Sequence, residues 1–170
     1  MGHGNGMKPR HRSPVDAIVR GLFAGATGTG AMTAWQRYAS QWQDSDEGGQ
    51  GDDSWASAPA PAKVAKRILE SLFDRDVPTT WIPVLTSVMH WSYGVAMGGV
   101  YGLAQDRSRN KPLLHGLAFG AAVWAASYGE LVPLGIYDPP WRYPARTLAL
   151  DASYHLVYGA GVGAGFAALD

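Results

Sequence analysis

The sequence predicts an all-α protein: an integral membrane four-helix bundle built from two parallel helical-hairpin repeats, plus one short amphipathic helix. Three observations predict it. The first is where charge is missing. Charged residues are 16% of the chain, against roughly 25% in an ordinary soluble domain, and the shortfall is local. There is no Asp, Glu, Lys or Arg between Gly21 and Ala34, or between Val77 and Gln105. Only Glu130 interrupts Pro112 to Tyr137, and only Asp151 interrupts Thr147 to Leu169. A span needs about 20 mostly apolar residues, so these stretches predict four spans. The second observation is an internal repeat. His90-Trp91-Ser92-Tyr93-Gly94-Val95-Ala96-Met97-Gly98 matches His155-Leu156-Val157-Tyr158-Gly159-Ala160-Gly161-Val162-Gly163 as H-x-x-Y-G-x-x-x-G. Ahead of it, Arg20-Gly21-Leu22-Phe23-Ala24-Gly25-Ala26 matches His115-Gly116-Leu117-Ala118-Phe119-Gly120-Ala121. Paired repeats of this kind are common in membrane transport folds. The third is glycine at every fourth position: Gly21 with Gly25, Gly94 with Gly98 and Gly102, Gly116 with Gly120, and Gly159 with Gly163. Small residues at that spacing let helix backbones approach closely within a bilayer.

The elements follow in order. Residues 1–14 form a basic N-terminal tail of Gly, Pro, His and Arg with no apolar core, unlike a signal peptide or a myristoylation site. The first hairpin repeat occupies residues 15–104, with spans over about 14–38 and 80–104. Between them, residues 43–60 are acidic and small, which predicts a flexible loop. Residues 61–74 predict an amphipathic helix with Val64, Ala65, Ile68, Leu69, Leu72 and Phe73 on one face. It is too short to span and is expected on the membrane surface or on the bundle. The second hairpin repeat occupies residues 105–170, with spans over about 113–137 and 148–169. A Pro-rich turn carrying Trp141 and Tyr143 joins them. Each unit holds two spans, so both have the same orientation. His90 should superpose on His155, and Arg20 on His115. The compact basic tail and the Arg107–Lys111 turn place both termini in the cytoplasm by the positive-inside rule.

Composition also excludes. The formal net charge is zero, so no global basic field attracts nucleic acid. There is no cysteine, hence no disulfide, no thiolate metal site and no Cys nucleophile. No phosphate-binding Gly-rich loop or Ser/His/Asp arrangement appears, and no catalytic residue is assigned. The chain reads as a non-enzyme.

Ionisable residues inside apolar stretches are costly and point to function. They are His90, Glu130, Asp151 and His155, expected to face the bundle interior at similar depth, with His115 at the opposite end of its span. Asp151 and His155 are one helical turn apart, so the carboxylate can orient the imidazole. Thr86 is the repeat counterpart of Asp151. Pro133 frees the carbonyl of Gly129 beside Glu130 and should open the helix there. The plainer alternative is interhelical hydrogen bonding of the histidines with Tyr93 and Tyr158, and pairing of the acids with Arg142 or Arg146. Two imidazoles and two carboxylates also suit a divalent metal. Two pseudo-symmetric histidines, each followed by Gly at the next turn, suit bis-His haem, with the glycines leaving room for a flat cofactor. Neither has a dense ligand motif behind it.

The run Gly116-Leu117-Ala118-Phe119-Gly120-Ala121, then Pro133-Leu134-Gly135-Ile136, Pro139-Pro140-Trp141 and His155-Leu156-Val157-Tyr158 resembles the small bacterial YagU-like inner-membrane proteins. The resemblance covers residues 113–160. It implies a multi-pass protein of the bacterial inner membrane with a role in acid or envelope homeostasis, and supplies no catalytic residues. The leading expectation is a membrane protein that permits proton or small-solute movement, alone, as a homo-oligomer or within a larger membrane complex. A non-catalytic accessory or scaffold subunit is the second reading. An electron-transfer protein holding haem or metal is the third.

Overall fold

The computed structural model describes residues 13–43, 54–105 and 111–169. It contains five α-helices: α1 (Pro14–Gln43), α2 (Ala60–Phe73), α3 (Ile82–Gln105), α4 (Pro112–Leu131) and α5 (Ala145–Ala168). Short 3-10 turns at Thr79–Trp81 and Pro140–Arg142 lead into α3 and α5. Among the described residues there is no strand. Most of the acidic loop and of the basic tail lies outside the described residues, as does most of the turn between α3 and α4.

The four long helices coincide with the four stretches expected to span. None of them is long and apolar enough to cross a membrane. The reason is visible in the residues. Arg20 and Arg37 cut into α1, His90, Ser92 and Tyr93 into α3, His115 and Glu130 into α4, and Asp151 and His155 into α5.

The third stretch is shorter than expected. α4 stops at Leu131 instead of running to residue 137. Pro133 cannot donate a helical hydrogen bond, and Gly135 takes φ +63, a left-handed conformation open to glycine. The amides of Ile136 and Tyr137 both turn back to the Leu131 carbonyl. Pro133 therefore ends the helix beyond Glu130 rather than opening it. α1 runs past the expected residue 38 to Gln43, and α5 begins at Ala145 behind Pro144, earlier than the expected 148.

The glycine stripes zip the bundle together. A methyl group at Gly21 would overlap the Gly98 carbonyl, and one at Gly98 would overlap Gly25 and Gly21. In the other hairpin, Gly116 and Gly159 stand against each other, and Gly120 meets the carbonyl of His155. Both pairs run antiparallel, with main chain touching main chain. This corrects the idea that the glycines leave space for a flat cofactor: the facing helix fills it. It also shifts the repeat. Gly25 stands to Gly94 and Gly98 as Gly116 stands to Gly159 and Gly163. His90 and His155 keep their correspondence, but the match between α1 and α4 is displaced by one helical turn. By contact register, Arg20 answers to Lys111 and not to His115.

The halves are not joined symmetrically. α1 also packs along α5, with Gly28 against Tyr158 and Val162, and Gly165 against Ala24 and Thr27. The equivalent contact of α4 with α3 is almost absent, so the helices lie in the spatial order α3, α1, α5, α4. At the termini end the space is filled by Tyr101, Phe119 and Phe166, with ring centroids 5.3 and 5.6 Å from Tyr101. The Arg20 guanidinium lies 4.7 Å over the Phe166 ring.

α2 lies on α3. Ala62, Ala65 and Leu69 pack with Leu85, Ile82 and Met89, while Ile68, Leu72 and Phe73 of the expected apolar face are exposed. Lys66 pairs with Glu70 at 2.8 Å and holds that carboxyl below its ordinary range. Arg67 donates to the Leu134 carbonyl, tying α2 to the turn after α4.

Candidate functional site

At the end opposite the aromatic plug, the sparse contact between α3 and α4 leaves a cavity of about 730 Å³. Every long helix contributes to it. Thr33, Gln36 and Arg37 come from α1, and Thr86, His90 and Tyr93 from α3. Ser127 and Glu130 come from α4, and Asp151, Tyr154, His155 and Tyr158 from α5. Pro59, Ala60, Pro61 and Val64, at the start of α2, and Leu134 and Tyr137, in the turn after α4, add to the wall. The four ionisable residues singled out from sequence all line this one cavity.

Their environments differ. His90 and His155 are half-buried, as is Asp151, whereas Glu130 is exposed and stands at the rim. An interior position for Glu130 is therefore corrected; it lies in the last turn of α4, where the chain is already turning away. Tyr93 interacts with its carboxylate.

Asp151 was expected to orient His155. Its carboxylate Oδ2 instead accepts the indole N–H of Trp124 at 2.9 Å and the hydroxyl of Tyr128 at 3.1 Å. His155 Nδ1 donates to the main-chain carbonyl of Asp151 at 2.9 Å, with Asp151 Oδ1 farther off at 3.7 Å. The imidazole is thus held mainly by the helix backbone. Trp124 and Tyr128 were not singled out from sequence, although their one-turn spacing on a helix facing α5 was the available signal.

His90 Nε2 sits 3.5 Å from Thr33 Oγ1, a long contact. The Thr33 hydroxyl already donates to the Thr29 carbonyl, so the imidazole must be the donor. The expected bonds from the histidines to Tyr93 and Tyr158 are replaced. Tyr158 donates to the Gly94 carbonyl at 2.7 Å, pinning α5 to α3 at the bottom of the cavity. Thr86 donates to the Ile82 carbonyl within its own helix.

The remaining residues lie elsewhere. His115 Nδ1 meets Gln105 Oε1 at 2.9 Å near the termini end. Arg142 is exposed and pairs with Asp138 at 3.1 Å, so it is not the partner of Glu130 or Asp151. Arg146 is exposed in the first turn of α5. Among the described residues no three of His, Asp and Glu converge as a metal-binding set. The haem arrangement is corrected with the glycine stripes, since Gly94 and Gly159 are closed by Thr29 and by Gly116 and Gly120.

The chain matches no family model, no curated protein and no solved structure. What the site can do is read from its chemistry. It offers two carboxylates, one half-buried and one exposed at the rim, two imidazoles of which His155 stands beside the inner carboxylate, and walls of tyrosine and hydroxyl groups.

Proposed function

We propose that the protein is a small membrane-embedded helical bundle that admits a polar solute into its cavity from one face, as part of proton or small-solute permeation, without making or breaking bonds. One observation carries this reading: large apolar side chains stand exposed on the outside of the bundle while ionisable groups line a cavity within it. Its helix contacts are made of glycine, and its half-buried ionisable groups line a cavity. Its outer surface carries Val19, Phe23, Val84, Val88, Val100, Leu113, Leu114 and Leu156, all exposed. Exposed apolar side chains in this number suit lipid or a partner better than water. A second feature agrees. Thr27, Thr29, Thr33, Thr86, Ser92, Ser127 and Ser153 each donate to a carbonyl three or four residues earlier in the same helix. That lowers the cost of a hydroxyl in an apolar medium.

The modest apolarity of each helix is compatible with this reading. An average along a helix counts the residues that face the cavity, whereas lipid meets only the outer face. The resemblance to YagU-like proteins supports the bacterial inner membrane as the site and acid or envelope homeostasis as the setting, with both termini cytoplasmic. An accessory role in a larger complex rests on a separate observation. Ala118, Ala121, Ala122, Ala125 and Ala126 make α4 an exposed small-residue face on which another helix could seat.

Alkaline carbonate extraction of membranes from cells expressing the chain tests the reading. The protein should stay in the membrane pellet; release into the supernatant would overturn it. In proteoliposomes, Glu130→Gln and Asp151→Asn should each lower pH-driven flux while the fold is retained, and unchanged flux in both would remove the permeation role.

A further inference from the structure

The chemistry of the cavity names a class of solute. We infer that it is a binding site for an organic cation, a protonated amine with an aromatic or alkyl body, with Asp151 as counter-ion and Glu130 drawing the cation in at the rim. This rests on the solute-binding part of the reading above, not on the membrane.

Two neighbours hold the Asp151 carboxylate in place. Trp124 and Tyr128 donate to Oδ2 and are both neutral, so they fix the carboxylate without cancelling its charge. Among the described residues its ion-pair neighbour is His155, at 3.7 Å. That imidazole N–H is already given to the main-chain carbonyl at 2.9 Å. Oδ1 thus retains acceptor capacity toward a cavity in which an ammonium would supply both charge and donors.

The walls favour the same sign. Trp91, Tyr93, Tyr154 and Tyr158 line the space. Aromatic faces attract a cation within about 6 Å and disfavour an anion. Arg37 is the opposing charge in the lining, and it is exposed near the end of α1. The cavity, at about 730 Å³, falls in the range of about 300–1,000 Å³ usual for small-molecule sites. It is far larger than a bare metal ion requires, and it suits an ammonium carried on an apolar body.

Calorimetric titration of the whole protein in detergent tests this with three probes of one shape: benzylammonium, benzoate and benzyl alcohol. Benzylammonium should bind at least about tenfold more tightly than either control. Asp151→Asn should weaken it by about tenfold, with the helical circular dichroism unchanged. If Asp151→Asn does not fold, Glu130→Gln decides. This rim change should weaken binding by about threefold at low salt and by less at high salt. Benzoate or benzyl alcohol binding as tightly as the amine overturns the inference, as does absence of benzylammonium binding or indifference of both variants. Carbonate extraction separates the two claims. A protein that leaves the membrane yet binds the amine ends the membrane reading alone; one that stays and does not bind ends this one alone.

Discussion

The two ends of the bundle are built by opposite rules. Toward the termini, α1 meets α3 and α4 meets α5 through glycine, with backbone against backbone and the aromatic rings of Tyr101, Phe119 and Phe166 filling what remains. At the other end the helices carry large polar residues, α3 and α4 part, and the space between them is a cavity. The same H-x-x-Y-G-x-x-x-G motif serves both ends. Its glycines close one and its histidines line the other. Close packing needs small side chains and tolerates no additions, whereas a binding space needs large side chains held at their roots. Each half of the motif answers one of those demands.

Mutations should respond in opposite ways at the two ends. The largest effect is expected at Gly98, where any side chain would overlap the main chain of α1. Gly98→Leu should cost more than about 3 kcal/mol or prevent assembly. Gly129, near the cavity end of α4, has nothing within 4 Å of where a Cβ would stand. Gly129→Ala should stabilise by about 0.5–1 kcal/mol through the backbone alone. Thermal denaturation in detergent measures both. A tolerated Gly98→Leu would break the comparison.

Next comes Asp151→Ala, which leaves the N–H of Trp124 and the hydroxyl of Tyr128 without their acceptor. A loss of about 1–3 kcal/mol follows from the desolvated donors. Tyr158→Phe removes one bond, to the Gly94 carbonyl at 2.7 Å, and should cost about 1 kcal/mol. Glu130→Gln, at the exposed rim, should leave stability within about 0.5 kcal/mol of the parent while still affecting flux and cation binding. The smallest effect lies on α2. Glu70 is held below its ordinary value first by the Lys66 hydrogen bond, and it also accepts the Val77 amide at 3.4 Å. Because the folded carboxyl is the stronger acid, its contribution is present above the ordinary carboxylate range and fades as pH falls through the lowered value. The Val77 amide resonance should follow that titration, and Glu70→Gln should flatten it.

Much of this was legible in the sequence because glycine spacing and missing charge are local signals. The four helical stretches, the amphipathic α2 and the four ionisable residues of the cavity could each be read from a short window. What could not be read is relational. The match of Arg20 with His115 is a real likeness of residues. Contact register instead follows which glycine has room for which carbonyl, and that places Gly25 opposite the same features as Gly116. Pro133 could have kinked a helix or ended one, and only the left-handed Gly135 two residues on makes it an ending. The partners of Asp151 escaped notice because Trp124 and Tyr128 look like packing aromatics until their polar atoms are seen to converge on one oxygen. The internal symmetry itself misled in one respect, since it gives α3 and α4 the same contact that α1 and α5 make. Their separation creates the site.

The measurement closest to the central claim uses the absence of native cysteine. In liposomes, single cysteines at Val100, on the outer face of α3, and at Ser127, in the cavity wall, are offered a water-soluble maleimide. An apolar exterior in lipid around a water-filled cavity requires Ser127→Cys to react and Val100→Cys to stay unlabelled until detergent is added. Val100→Cys reacting as fast as Ser127→Cys would place the outer face in water and contradict the account.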